Sequence, residues 1–275
     1  MSFSTADLHH VGYLVATAAQ SEIMPRFHNL SSMRVREKSS AFDVVTEADE
    51  AAEVAISSGL RQAFPGAVII GEEAAGREPG LLRTLGSAGL AFLVDPIDGS
   101  NNFTASLPLF GLMVAVIIRG EVVAGVIYDP IGRNWAYAVR GGGAWLQKED
   151  GVREALRVAA SVDPAEMHAV AGTNFLPEPL RNMLLRNLPR IGMNFWLRCA
   201  AHEYRMAAAG HCHLLVYNKL MPWDHAAGWL LHREAGGYAA HFDGTAYQPT
   251  HLTGGLICAP DEASWHAAHR VLFDA

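Results

Sequence analysis

Hydrophobic spacing in the first hundred residues alternates between helical and strand-like periods. Apolar residues recur every three or four positions from Leu8 to Ala19, which predicts an amphipathic helix over residues 5–24. A short strand, DVVT, precedes a second predicted helix over residues 47–64, which stops before a Pro-Gly pair. The runs AVIIGEE and LAFLV predict buried strands separated by a loop with a short helical piece over residues 77–89, and acidic residues follow both runs.

The pattern changes in the second half of the chain. Residues 109–147 are typical of an antiparallel meander, because turn sequences (RGE, DP and GGG) separate their apolar runs. After about residue 155, strand patterns (HAVAGT, HLLVY, GLICAP) alternate with helical ones. The predicted fold class is therefore layered α/β, with a mixed-sheet N-terminal domain over residues 1–155, which carries the metal site, and a smaller α/β domain over residues 156–275.

Composition narrows the class of protein. The 275-residue chain is 50% hydrophobic, carries a net charge of −7 and has no Lys/Arg cluster, which argues against nucleic acid or an anionic membrane as a partner. Its three cysteines are odd in number and widely spaced, which favours reduced thiols. No secretory signal pattern opens the chain, and its longest apolar stretch is too short to cross a membrane. We expect a cytoplasmic protein.

Three acidic clusters follow apolar strands or open helices. They are Glu72-Glu73, the pair Asp95 and Asp98 in DPIDGSNNF, and Asp224 in PWDHAAG. Each has an ordinary alternative, namely a solvated loop, a turn or a helix N-cap. If they converge, their oxygens form the kind of site that Mg²⁺ prefers.

These motifs resemble those of the inositol monophosphatase family of Mg²⁺-dependent phosphatases. DPIDGSNNF is similar to the family motif D-P-(I/L)-D-G-(T/S)-x-N-F, and PWDHAAG, about 130 residues later, is similar to W-D-x-A-A-G. The stretch KSSAFDVVTEAD and the GEE after the first buried strand also match. The resemblance implies an αβαβα sandwich, a homodimer, inhibition by Li⁺ and a small phosphorylated metabolite as substrate.

The resemblance also implies the site residues. One Mg²⁺ would bind Glu72, Asp95 and the Ile97 carbonyl; a second would bind Asp95, Asp98 and Asp224; and a third, weaker one would use Glu72 with waters. Ser100, where the family usually has Thr, would hydrogen-bond Asp49 and orient the attacking water. The implied catalytic residues are Asp49, Glu72, Asp95, Ser100 and Asp224, the last also assisting the leaving group.

Substrate contacts are predicted from the same comparison. The backbone N–H groups of Gly99 and Ser100 would bind phosphate oxygens, beside Asp98 and Asp224. Inositol-specific relatives usually carry a Glu shortly before the W-D motif, whereas this chain has VYNKLMPWD. Tyr217 could stack on a ring and Lys219 could meet a second anion, with Arg198 and Glu203 nearby; alternatively, Lys219 faces solvent.

Three functions compete at this stage. The first is a phosphomonoesterase of the inositol monophosphatase type. The second is a related specificity, for fructose-1,6-bisphosphate, histidinol phosphate or 3′-phosphoadenosine 5′-phosphate. The third is a non-catalytic member that binds a partner protein, although such a protein would be expected to have lost the acidic ligands.

Overall fold

A computed structural model describes residues 3–29, 35–40 and 43–273. Residues 41 and 42 of the KSSAFDVVTEAD stretch lie outside these ranges. The helices are α1 (Thr5–Ala18), α2 (Met24–Phe27), α3 (Glu47–Ala63), α4 (Glu72–Arg77), α5 (Ser100–Thr104), α6 (Leu180–Asn187), α7 (Ala200–Ala208), α8 (Pro222–Glu234) and α9 (Glu262–Phe273). A π-helical stretch, Ala19–Ile23, joins α1 to α2, so the first predicted helix is confirmed and continues beyond its predicted end.

The strands follow the predicted order, with additions. They are β1 (Val35–Ser40), β2 (Asp43–Thr46), β3 (Val68–Gly71), β4 (Ala91–Asp98), β5 (Gly111–Ile118), β6 (Glu121–Asp129), β7 (Asn134–Val139), β8 (Gly143–Lys148), β9 (Arg153–Ala155), β10 (His168–Ala171), β11 (Met193–Phe195), β12 (Leu214–Tyr217), β13 (Tyr238–Ala240) and β14 (Leu256–Ala259). The short strands β9, β11 and β13 were not predicted, because three residues are too few to show an alternating pattern.

Within the described residues, seven strands form a mixed sheet in the order β3-β4-β5-β6-β7-β8-β9. Strand β3 is parallel to β4, and the remaining neighbours are antiparallel, which confirms the predicted meander. Both faces of this sheet are buried. Along β5, Leu112 and Val114 join the core formed with α1 and α3, whereas Met113 and Ala115 join the core formed with α7 and α8.

A second sheet covers the other side of α7 and α8. In the described part of the chain it has the order β11-β10-β12-β14-β13, and its outer face packs against α6 and α9. The layers therefore run α1/α3, large sheet, α7/α8, small sheet, α6/α9, which confirms the αβαβα sandwich. The last strand of the large sheet ends at Ala155 and the small sheet begins at His168. Treating the two parts as separate domains stays a proposal.

The structure corrects two predicted boundaries. The segment predicted as a loop after LAFLV continues β4 through Asp98, because β5 offers an apolar partner along its whole length. Helix α8 begins at Pro222 rather than after Asp224, so Asp224 lies in its first turn and is not its N-cap. Within the described residues, no helix has the length and apolar character needed to span a bilayer.

Candidate active site

Two of the predicted metal ligands lie at the carboxyl end of β3 and beside it on β4, where the parallel pairing of the two strands stops. Ile70 pairs with Leu93 and Gly71 with Val94. Glu72 and Asp95 each come directly after the last of these pairs, so they are neighbours at the same edge of the sheet. Ligand sites in α/β proteins form at such carboxyl ends. Asp95 is buried. Because side chains alternate along a strand, Asp95 shares its face with Ala91 and Leu93, the face covered by α8.

An irregularity in β4 determines where Asp98 lies. Residues three apart on a regular strand face opposite sides of a sheet. The register of β4 against β5 shifts between Asp95 and Asp98. After the shift, Ile97 packs into the core with α1 and α3, and the Asp98 carboxylate faces α7. Both acids of the DPID motif are thereby on the helix-covered side of the sheet.

Helix α8 supplies the third acid. Pro222 opens the helix, a position at which its missing N–H is not needed. Asp224 in this first turn lies where the positive end of the helix dipole favours a carboxylate. The helix packs across β4, β5 and β6, which brings its N-terminal turn to the strand ends that carry Glu72 and Asp95.

Together these three elements form a carboxylate group suited to a cation. One oxygen from each of Glu72, Asp95 and Asp224 lies within 4.8 Å of the others. Oxygens around one Mg²⁺ stand roughly 3–4 Å apart, given bond lengths of about 2.0–2.1 Å. The donor set is therefore of the right chemistry and close to the right size for Mg²⁺.

Asp98 is held differently from the other predicted ligands. Its Oδ2 accepts a hydrogen bond from Ala201 N at 2.5 Å and contacts Cys199 Sγ at 3.1 Å. Burial raises the pKa of Asp98 to about 6, and the hydrogen bonds from α7 oppose this shift. Asp98 is not part of the three-carboxylate group. Its role as a ligand, like that of the Ile97 carbonyl, stays a prediction.

Ser100 and Asp49 form the predicted pair. Ser100 Oγ lies 2.8 Å from both Asp49 Oδ1 and the Ile97 carbonyl oxygen, and its single proton is donated to one of them. Thr46 and Asp49 form a capping box at the start of α3, with Thr46 Oγ1 2.5 Å from Asp49 Oδ2. Burial raises the pKa of Asp49 to about 6, and the Thr46 hydrogen bond acts against this.

Gly99 lets the chain turn from β4 into α5. Its φ of 90° lies in the left-handed region, and a Cβ there would stand 3.0 Å from the Leu109 carbonyl oxygen. Helix α5 then begins at Ser100. The predicted phosphate contacts of the Gly99 and Ser100 N–H groups stay a prediction.

A buried acid that the sequence analysis missed holds Glu72 in place. Glu53 Oε2 accepts a hydrogen bond from Glu73 N at 2.7 Å, and its Oε1 accepts one from Ala74 N at 2.9 Å. Glu53 thus satisfies the free N–H groups in the first turn of α4, the helix that Glu72 opens. Its position four residues after Asp49, on the same face of α3, was the available signal.

A cavity of about 330 Å³ lies beside the three-carboxylate group. Its lining includes Glu72, Asp95, Asp98, Asp224 and Ser100, together with four further residues predicted to contact substrate, Arg198, Glu203, Tyr217 and Lys219. Arg198 adopts a left-handed φ of 57°, and its guanidinium donates to Asn102 Oδ1 at 2.9 Å. A strained residue held by a buried amide at a cavity is typical of functional sites.

Tyr217 occupies a more enclosed position than predicted. Its ring packs against Tyr204 and His225, with centroid distances of 5.2 and 4.7 Å. His225 Nε2 lies 2.8 Å from the Lys219 carbonyl oxygen, which can only accept, so Nδ1 accepts from the Tyr204 hydroxyl. Burial lowers the pKa of His225 to about 4. Both ring nitrogens are therefore engaged, which favours packing over proton donation.

Glu203 gives the site a testable pH response. Its carboxylate is buried, accepts a hydrogen bond from Leu197 N at 3.1 Å, and burial raises its pKa to about 8. The folded protein then retains a proton that the unfolded chain loses near pH 4.5, so this group's contribution to stability falls as pH rises from about 4.5 to 8.

We therefore expect Glu203→Gln to flatten the pH dependence of stability. Between pH 5 and pH 8 in EDTA, the free energy of unfolding of the wild type should fall by at least about 1.4 kcal/mol more than that of the variant, equivalent to one pKa unit. Urea titrations at both pH values measure this. Glu262→Gln, at an exposed position, is the control, and parallel pH profiles for all three proteins would contradict the prediction.

Comparison with known proteins places the chain in a family. Residues 5–273 match the inositol monophosphatase family. The Nus factor SuhB of Pasteurella multocida is 33% identical over 221 residues, 79% of this chain and 78% of that protein. The inositol-1-monophosphatase of Mesorhizobium japonicum is 34% identical over 213 residues, 74% of this chain and 73% of that protein.

Structural comparison agrees. The crystal structure of the extragenic suppressor protein SuhB from Bartonella henselae superposes with a TM-score of 0.83 at 27% sequence identity, covering 98% of this chain and 100% of that one. The chain therefore belongs to the inositol monophosphatase family, which confirms the resemblance of its motifs.

Proposed function

We propose that this protein is a Mg²⁺-dependent phosphomonoesterase that hydrolyses a small phosphorylated metabolite with water as the nucleophile. The observation that carries the proposal is the convergence of Glu72, Asp95 and Asp224 in a cavity that Ser100 also lines. The relative from Mesorhizobium japonicum, named an inositol-1-monophosphatase, supports the same reaction class.

The acids and Ser100 have separate roles in the proposed reaction. When bound by the acids, Mg²⁺ would activate water and neutralise phosphate charge. Ser100 donates its proton to Asp49 or the Ile97 carbonyl, so its lone pair is free to accept a hydrogen bond from the attacking water. Thr46 locks Asp49, which fixes the Ser100 hydroxyl. Positioning of this kind accounts for most of the catalysis in phosphoryl transfer.

A partner-binding function is the competing proposal. Relatives named Nus factor SuhB are about as similar to this chain as those named phosphatases. A protein that only bound a partner would not need three carboxylates gathered around one point. Their retention, together with the Ser100–Asp49 pair, favours catalysis.

The substrate proposal follows from the missing acid before the W-D motif. Without an acceptor there, a buried inositol hydroxyl is left without a hydrogen bond. This weakens binding of the substrate by roughly 1–3 kcal/mol, which corresponds to about 10- to 100-fold in specificity. We propose weak activity on myo-inositol 1-phosphate and better activity on an ester that carries a second negative charge or an aromatic ring. Arg198 and Lys219 on the cavity lining support the charged alternative.

Phosphate release from a panel of esters tests these proposals together. We expect Mg²⁺-dependent release, with kcat/KM for inositol 1-phosphate about 10- to 100-fold below that for the best of fructose-1,6-bisphosphate, histidinol phosphate and 3′-phosphoadenosine 5′-phosphate. Lys219→Ala should lower kcat/KM for the doubly charged esters only. No release from any ester would favour partner binding. If inositol 1-phosphate is the best substrate and Lys219→Ala changes nothing, the substrate proposal is wrong.

Three further properties belong to the proposal. We propose inhibition by tens of millimolar Li⁺, a homodimer and a cytoplasmic location; family membership supports the first two, and the composition of the chain supports the third. Inhibition assays, light scattering and cell fractionation respectively test them.

A further inference from the structure

Two aromatic side chains stay exposed on the lining of the catalytic cavity. Phe175 is 45% and Trp196 is 38% exposed. Phe175 follows β10 and Trp196 follows β11, and these strands are parallel neighbours. The two rings therefore extend from the carboxyl ends of adjacent strands of the small sheet, as the acids do from the large one. Large aromatic groups left in solvent at a cavity mark a surface that a ligand covers.

The Trp196 ring lies against the backbone that follows β10. A Cβ built on Gly172 would lie 3.0 Å from Trp196 Cε2, so the absence of a side chain at Gly172 leaves room for the indole close to the backbone. Asn218 Nδ2 donates to the Gly172 carbonyl oxygen at 3.1 Å, which ties this backbone to the end of β12. Packing of the indole against this backbone restricts the ring, which reduces the entropy that it loses on binding.

The Phe175 ring has a cation beside it. Lys219 Nζ lies 5.6 Å from the ring centroid, and the Lys219 carbonyl is anchored by His225. Phe175, Trp196 and Lys219 thus form one continuous part of the cavity lining, which we call the aromatic wall. Tyr217, by contrast, has its ring packed against Tyr204 and His225 and its hydroxyl oxygen buried, so it offers a ligand less ring surface.

From this arrangement we infer that the substrate is a phosphomonoester whose alcohol part carries a planar aromatic ring, and that Phe175 and Trp196 stack on that ring. The inference rests on the proposed phosphatase function, and it assigns the aromatic alternative to two residues that lie outside the family motifs. The acids would hold the phosphate end, and the aromatic wall would select the other end.

A pair of esters matched in size and in leaving group tests the inference. Benzyl phosphate and cyclohexylmethyl phosphate both release a primary alcohol, and only the first has a flat aromatic ring. Stacking favours aromatic over equally sized apolar groups by about 2- to 10-fold. We expect the wild type to show this ratio in kcat/KM, Trp196→Ala and Phe175→Ala to lose it, and Trp196→Phe to retain most of it.

Two controls separate this inference from the proposed function. Met193→Ala removes an apolar side chain that is 52% exposed in β11 and that does not line the described cavity, so the ratio should not change. Binding of the non-hydrolysable benzylphosphonate and cyclohexylmethylphosphonate, measured by calorimetry with Mg²⁺, gives the ring preference without turnover. Absence of hydrolysis with a retained binding preference would refute only the phosphatase. Equal binding of both rings, or a preference that survives in Trp196→Ala and Phe175→Ala, would overturn the inference.

Discussion

Asp95→Asn is expected to abolish phosphate release while the protein stays folded. Asp95 is the buried member of the three-carboxylate group, and the family resemblance implies that it would bind both principal Mg²⁺ ions. Asn keeps the shape of the side chain but loses the charge that attracts a cation. Loss of a single hydrogen-bond donor to a transition state already costs about 10²–10³ in rate, so we expect a loss beyond a thousandfold.

Measurement of kcat with Mg²⁺, together with thermal unfolding, checks this expectation. Removing one of several crowded negative charges relieves repulsion, so the melting temperature in EDTA should not fall. Asp150→Asn, which changes an exposed acid, is the matched control and should retain full activity. Near-normal turnover by Asp95→Asn would be incompatible with the proposed mechanism.

Ser100→Ala is expected to lower kcat by about 100-fold or more with little change in KM. The hydroxyl orients water for attack, so its contribution is made in the transition state and not in substrate binding. Ser100→Thr should be close to neutral, because Thr retains the hydroxyl and can keep the contacts with Asp49 and the Ile97 carbonyl.

Steady-state kinetics of the three proteins separate the hydroxyl from packing. If Ala and Thr cause equal losses, the position is sensitive to shape and the proposed role of the hydroxyl is wrong. A rise in KM at constant kcat for Ser100→Ala would instead indicate ground-state binding.

The sequence predicted most of the fold and the identity of the acids, because those depend on local patterns. Buried strands followed by acids and helical periodicity indicate the candidate acids, and the resemblance of two motifs to those of the family implies that Glu72, Asp95 and Asp224 share one site. The register shift in β4, which turns Asp98 toward α7, depends on pairing with β5, and its local signal is Pro96 alone, which does not show which way Asp98 points.

The substrate side of the cavity was less predictable for a related reason. Phe175 and Trp196 stand in segments with no motif, and their exposure is decided by where two strands of the small sheet end. The sequence analysis selected Tyr217 for stacking because it precedes the W-D motif. Its burial depends on Tyr204 and His225, which come from α7 and α8.

The contact between Glu53 and the start of α4 limits how this chain can vary. A Cβ on Gly71 would stand 2.2 Å from the Glu53 carboxylate, so even one methyl group at position 71 would displace the acid that holds the first turn of α4. A side chain at position 71 is therefore incompatible with the present position of the Glu53 carboxylate. A substitution at Gly71, which binds nothing itself, would therefore change the direction in which the neighbouring ligand Glu72 points.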